Sequence, residues 1–234
     1  MNLPNQEISG FLLVDKESGP TSFNIIYHLR KITNIRKIGH AGTLDPFATG
    51  LMIIAIGRSA TKNILNYTKL DKVYEAEFCF GATTDSLDPE KEIIYDQNYQ
   101  GELDKITLVN TLTDFKGEIT QTPPAYSAIK INGQKAYDLA RKGREFTIPS
   151  RTVHIYDISL LDLRKEEKLA FATFRVHCSS GTYIRSLARD IAKKLGTTGY
   201  CTKLNRTAIG TFKLSNSHKL SDINAQNWQN LLIS

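Results

Sequence analysis

Long apolar runs are missing from this chain. The most apolar stretch, Leu51-Met52-Ile53-Ile54-Ala55-Ile56, falls far short of the roughly 20 residues that cross a bilayer. The N-terminus has no basic segment followed by a long apolar one, so no signal peptide is expected. Cysteine is scarce. Cys79, Cys178 and Cys201 are odd in number, far apart, and free of any CxxC or Cys/His cluster. That excludes a disulfide framework and a zinc site, and reduced thiols in a cytoplasmic protein are expected. Cys178 is a formal candidate nucleophile, but a buried structural thiol is the commoner state of such a residue. Internal repeats, low-complexity tracts and long linkers are also absent.

What remains is an ordinary globular composition. Of 234 residues, 41% are apolar and 23% charged, enough for a substantial core. The formal charge of +6 suits a polyanionic partner, although it bears on association and not on fold.

Patterning predicts short strands over 11–14 and 51–56, and a helix over 23–32 capped by Ser22. Another short helix, opening at Ser59 or Thr61, is predicted to about Tyr67. Residues 72–80 alternate, with Tyr74, Ala76, Phe78 and Phe80 on one face and Glu75 and Glu77 on the other. An irregular stretch, 81–100, precedes a helix over 104–115. Gln121-Thr122-Pro123-Pro124 is read as a break in regular structure, because two prolines remove donors and fix the backbone. The residues up to Phe146 suit an exposed loop with a short helix near 134–142. Strands are expected at 151–162 and 169–178, the second burying Ala170, Ala172, Phe174, Val176 and Cys178. A helix then runs to about Leu195 with an apolar stripe of Ile184, Leu187, Ala188, Ile191 and Leu195, and with Arg185, Arg189 and Lys193 on another face. Residues 200–214 suggest a strand pair, and the last twenty a short amphipathic helix carrying Trp228. Intermixed elements with hairpin-like spacing predict an α+β fold with a mixed, mainly antiparallel sheet flanked by helices.

Chemistry concentrates in a few places. Asp45 lies in Gly39-His40-Ala41-Gly42-Thr43-Leu44-Asp45-Pro46-Phe47-Ala48-Thr49-Gly50, a loop punctuated by glycines and a proline. Taken alone it is a turn-former, a nucleophile or a general base, and a carboxylate can also stabilise an oxocarbenium-like transition state. His40, in the same loop, has no partner at metal-ligand spacing and reads as a backbone-bonded histidine or as a contact to a phosphate or base. Tyr74 is a core tyrosine or a ring that stacks on a flat substrate. Ser179-Ser180-Gly181-Thr182-Tyr183-Ile184-Arg185 opens a helix, with Ser180 or Thr182 as candidate caps. Its N–H groups and Arg185 suit an anion, and Arg185 can lower the pKa of a carboxylate such as Asp45. Lys130, Lys135, Arg141, Lys142, Arg144 and Arg151, interleaved with Tyr126 and Tyr137, form a solvated basic surface or a nucleic-acid contact.

Together these segments resemble the bacterial tRNA pseudouridine-55 synthases, the TruB family. The resemblance rests on the Asp45 loop and on Gly10-Phe11-Leu12-Leu13-Val14-Asp15-Lys16, Gly57-Arg58-Ser59-Ala60-Thr61-Lys62 and Asp71-Lys72-Val73-Tyr74. It continues through Pro123-Pro124-Ala125-Tyr126-Ser127-Ala128 and Cys178-Ser179-Ser180-Gly181-Thr182-Tyr183-Ile184-Arg185, in the family's order from about residue 10 to 210. It implies isomerisation of the T-loop uridine at tRNA position 55 to pseudouridine, with the base flipped out and no cofactor or metal. Asp45 matches the catalytic aspartate. Tyr74 matches the tyrosine that stacks on the target base, and His40 the histidine that helps hold the nucleotide out. Tyr183 and Leu204 match residues lining the nucleotide pocket, and Arg185 the partner of the catalytic carboxylate. Residues 121–147 resemble the family's RNA-clamping loop, which makes Lys130, Arg141, Lys142 and Arg144 backbone contacts.

Many family members carry a further C-terminal RNA-binding domain, whereas this sequence stops at Ser234. The expectation is therefore one catalytic domain over 1–234, with no separate C-terminal RNA-binding domain. The partner is the tRNA T-stem-loop, with no membrane and no obligatory protein partner. Two rivals stay open at this level: an RNA-binding chaperone without chemistry, and a related synthase acting on another RNA. Whether Asp45 acts at C1′ or at the uracil ring is also open.

Overall fold

The computed structural model describes residues 8–233. In chain order the elements begin β1 (Gly10–Lys16), α1 (Ser22–Thr33), β2 (Ile38–His40), β3 (Thr49–Ile56), α2 (Arg58–Thr68) and β4 (Lys72–Phe80). They continue with β5 (Ala82–Thr83), β6 (Ile94–Tyr95), α3 (Lys105–Thr113), β7 (Gly117–Gln121), β8 (Lys130–Ile131), β9 (Gln134–Lys135) and α4 (Ala136–Arg141). Last come β10 (Arg151–Glu166), β11 (Leu169–Cys178), α5 (Ile184–Lys194), β12 (Gly199–Ile209), β13 (Phe212–Lys213) and β14 (His218–Lys219), with short 3₁₀ turns before and after β14. The fold is α+β with a mixed sheet. Among the described residues no helix is long and apolar enough to cross a membrane.

The chain falls into two compact units, Met1–Val73 with Asn205–Ser234, and Tyr74–Leu204. In the first, the strand order is β14–β1–β3–β12, with β2 on β3 and β13 on β12. β1 and β3 are antiparallel from Gly10↔Ile56 to Lys16↔Gly50. β3 meets β12 in parallel at Asn205↔Thr49 and Arg206↔Gly50. Strand β3 is buried along nearly its whole length, which is why it reads as a continuous apolar run and not as an alternation. Phe11, Leu13, Leu51, Ile53, Ala55 and Ile209 form one core cluster, on which Tyr67 of α2 packs. Helix α1 buries Ile25, Ile26 and Leu29.

In the second unit β4, β11, β10 and β7 are neighbours in that order, and the first half of β12 lies beside β4. β10 and β11 form a long antiparallel ribbon with register shifts at Ile155/Asp157 and Leu160/Asp162. β7 runs antiparallel to the start of β10, pairing Gln121 with Arg151 and Gly117 with Ile155. Phe78 and Phe174 pack at 4.9 Å in its core.

The alternation expected of β11 holds, with Ala170, Ala172, Phe174, Val176 and Cys178 all buried. Other expectations are corrected. Thr21, not Ser22, caps α1, in a reciprocal capping box with Asn24. Glu77 is buried, because β4 is covered on both faces from Ala76 onward. Gln121 is the last residue of β7, so the proline break starts one residue later. The C-terminal segment forms 3₁₀ turns around a buried Trp228 and not an amphipathic helix. The basic segment after Pro124 contains an unforeseen hairpin, β8–β9, whose turn residues Asn132 and Gly133 both have positive φ.

Candidate active site

In the first unit, Asp45 opens a tight turn in which the Ala48 N–H donates to the Asp45 carbonyl at 3.1 Å, with Pro46 at the second position. The turn-former reading of Asp45 is therefore correct as local structure. The surrounding backbone is held from three sides. Lys16, fully buried, donates to the carbonyls of Glu17 (3.0 Å), Pro46 (3.0 Å) and Ala48 (2.6 Å). The Ser22 hydroxyl accepts from the Leu44 N–H and donates to the Leu44 carbonyl, both at 2.9 Å. Arg206, 1% exposed, donates through Nε to the Leu51 carbonyl (2.7 Å) and through Nη2 to the Gly42 carbonyl (3.2 Å).

Hydrogen bonds to a charged group contribute about 1.5–3 kcal/mol each, so these anchors fix the turn far more firmly than neutral contacts would. Two glycines permit the path. Gly42 has φ +113°, and Gly50 has φ +105°. A Cβ on Gly50 would also lie 2.5 Å from the Arg206 carbonyl oxygen and 2.7 Å from its amide nitrogen.

His40 ends β2, paired with Ile54 of β3. Burial lowers its pKa, and the Arg206 cation lowers it further, against a backbone hydrogen bond to Gly42 that raises it. The imidazole is accordingly neutral near pH 7. Its Nδ1 is buried with no hydrogen-bond partner among the described residues, which is uncommon for a buried polar atom.

In the second unit, Tyr74 on β4 and Leu204 on β12 are both buried, at 8% and 7% exposure. Tyr183 and Arg185 come together at the start of α5. Neither Ser180 nor Thr182 caps that helix. Tyr183 is the N-cap residue and makes no side-chain cap bond. Gln121, fully buried, serves instead: its Oε1 accepts from the Tyr183 N–H (2.8 Å) and its Nε2 donates to the Tyr183 carbonyl (3.1 Å). The Arg151 guanidinium lies over the Tyr183 ring, 4.7 Å from its centroid.

Arg185 is buried at 3% exposure, not on a solvated face. Its Nη1 donates to the Asp88 carboxylate (2.9 Å) and the Ser86 carbonyl (2.6 Å), and its Nη2 to the Tyr126 carbonyl (2.9 Å). Asp88 also accepts from the Ser86 hydroxyl (2.6 Å) and the Glu90 N–H (3.1 Å). A buried pair of this kind needs such further hydrogen bonds to offset the desolvation of both charges.

Around the basic loop, Lys130, Lys135, Arg141, Lys142 and Arg144 are all exposed. Tyr137 carries Lys135 and Arg141 within 5.3 and 5.5 Å of its ring centroid. An open groove of about 570 Å³ is lined by Ala125 and by Arg144 to Ile148. Cys178 and Cys201 are buried, and burial pushes the Cys79 thiol up to about 12, so that thiol is no nucleophile at neutral pH. Among the described residues no group of three or more metal-ligating side chains converges.

Residue type alone did not single out Lys16, Ser22 and Arg206, which hold the Asp45 turn, or Asp88 and Gln121, which hold the start of α5. Their signals were weak: a lysine closing an apolar strand, an arginine inside an alternating one, and a glutamine before two prolines.

Comparison with known proteins matches residues 30–184 to the model of the TruB family pseudouridylate synthase (N terminal domain). The tRNA pseudouridine synthase B of Borreliella afzelii (strain PKo) is 44% identical over 209 residues, which is 89% of this chain and 72% of that protein. The tRNA pseudouridine synthase B of Clostridium tetani (strain Massachusetts / E88) is 42% identical over 226 residues, 97% of this chain and 76% of that one. A chain of the solved Cbf5-Nop10-Gar1 complex superposes with a TM-score of 0.68 at 29% identity, covering 91% of this chain and 53% of its own. A chain of the H/ACA RNP bound to a substrate RNA containing 2'-deoxyuridine gives 0.66 at 27% identity, covering 91% and 51%. This chain thus spans about half the length of those two solved chains.

Proposed function

This chain belongs to the TruB family of pseudouridylate synthases, and from that premise we propose that it converts the uridine at position 55 of the tRNA T-loop to pseudouridine. The observation that carries the reading is the Asp45 turn, held by Lys16, Ser22 and Arg206. A carboxylate that must act on a reacting nucleotide is most effective when its backbone needs no rearrangement. The reaction breaks the C1′–N1 glycosidic bond, turns the uracil and forms a C1′–C5 bond, and the C5 proton is lost while N1 gains one. Nothing is oxidised, and no group is taken from outside.

Asp45 is the catalytic carboxylate, and Arg185 belongs to the substrate-binding set. The target base lies inside a folded loop, so it must leave its stack at a cost of roughly a few kcal/mol. The Tyr74 ring offsets that loss by stacking on the base. Neutral His40, with its open Nδ1, holds the flipped nucleotide out, and Tyr183 and Leu204 line its pocket. The exposed cations Lys130, Arg141, Lys142 and Arg144 contact the T-stem-loop backbone.

The test is an unmodified tRNA transcript incubated with the protein and read by pseudouridine-specific chemical mapping. Product at the T-loop uridine supports the proposal. Asp45→Asn is expected to bind the transcript normally and to form no product. An Asp45→Asn protein that still forms pseudouridine overturns the assignment. Product only at another site or in another RNA overturns the substrate.

A further inference from the structure

We propose that Gln121 and Arg151 form one positioning device for Tyr183. The inference rests on Tyr183 being part of the nucleotide pocket, and it explains how that side chain is kept in place. Gln121 and Arg151 are direct cross-strand partners, at the end of β7 and the start of β10. Opposed residues of an antiparallel pair project to the same face of the sheet. From that face they reach one residue in two ways. Gln121 spends both atoms of its amide on the Tyr183 backbone. Arg151 spends its guanidinium on the Tyr183 ring.

The next residue strengthens the junction. The Thr122 carbonyl accepts from the Ser186 hydroxyl and from Arg189 Nη2, each at 2.9 Å, so the end of β7 is tied to α5 at four points. The absence of a cap on α5 then has an explanation. A Ser or Asp at position 183 could cap the first turn but would supply no ring, whereas Gln121 holds the backbone of a tyrosine there.

Arg151 shows that this arrangement serves more than stability. Its Nε and Nη2 are buried and have no hydrogen-bond partner. A guanidinium selected for fold stability alone would find acceptors for those donors. Its guanidinium lies over the Tyr183 ring, with the Gly181 turn alongside: a Cβ built there would lie 3.6 Å from Arg151 Nη1. A flat cation over a flat ring limits the rotation of that ring. Neither Gln121 nor Arg151 is assigned contact with the substrate. Both are positioning residues.

A double-mutant cycle on the full chain tests this, using single-turnover pseudouridine formation and equilibrium binding of an unmodified tRNA transcript. Arg151→Met and Gln121→Met are each expected to slow the single-turnover step roughly ten- to a hundredfold, because small misplacements of a positioning group cost that much. Binding and its salt dependence stay within about twofold, since no phosphate contact is removed. In a Tyr183→Ala background both losses disappear, because there is no ring left to place. Arg151→Lys, which keeps the charge but not the flat stack, does not restore the rate.

Losses that persist in full alongside Tyr183→Ala overturn the proposal. So do unchanged rates in the single variants, or a fall in affinity with a shallower salt slope for Arg151→Met, which would make Arg151 a phosphate contact. Should Gln121→Met fail to fold, the partly exposed Arg151 carries the test alone. Asp45→Asn, assayed in parallel, separates failure of this device from failure of the pseudouridine reading itself.

Discussion

Asp45 illustrates how firmly a turn-forming residue can be held. Its turn is closed by the Ala48 N–H, and the cations of Lys16 and Arg206 hold the backbone on either side. His40, in the same loop, makes a prediction about acid. In the unfolded chain its imidazole takes up a proton near its ordinary value of 6.5, whereas burial in the folded chain holds its pKa lower. Between those two values only the unfolded chain is protonated, so falling pH favours unfolding. Stability is therefore expected to decline as pH drops through about 6.5 and to level off below the folded pKa. A His40→Asn protein should lose that part of the slope in denaturant titrations. The His40 imidazole resonances of the native protein should titrate below the ordinary value. At this scale the turn at Asp45 was legible, because loop punctuation and residue type mark it. Arg206 was not. It lies in a strand whose alternation says only that it faces inward, and nothing local reveals that its acceptors are Gly42 and Leu51.

Among the elements, α5 depends on contacts with distant segments of its own unit. Arg185 lies on its first turn and finds its acceptors in residues 86–88 and at Tyr126. Removing one member of a buried pair strands the other, which costs about 3–5 kcal/mol. Asp88→Ala is expected to destabilise the protein by that amount in urea titrations, and Asp88→Asn by less, because an amide oxygen still accepts from Arg185. Periodicity correctly placed the apolar stripe of α5 and set Arg185 on a different face. It did not show that this second face is covered at Arg185, since a helical period marks only the apolar stripe. The cap of α5 was illegible for a related reason. Ser180 and Thr182 are good cap residues by type, but Gln121 arrives from 62 positions away. The Asn132-Gly133 hairpin, by contrast, was available from sequence through its turn chemistry.

For the whole molecule, the excess charge of +6 has a defined local component in the exposed Arg141, Lys142 and Arg144. Neutralising all three is expected to weaken tRNA binding and to reduce the slope of log affinity against log salt by about 2 to 3. A triple neutralisation elsewhere on the surface should change it less. The division of the chain has another consequence, for the order of folding. Tyr74–Leu204 is contiguous and can close on itself as it leaves the ribosome, whereas Met1–Val73 must wait for Asn205–Ser234. Gly42 receives its bond from Arg206 across 164 positions. During synthesis the loop that carries Asp45 is therefore made early and shaped late. A nascent chain halted before Arg206 holds every residue of the Asp45 turn and lacks the cation that gives the turn its form.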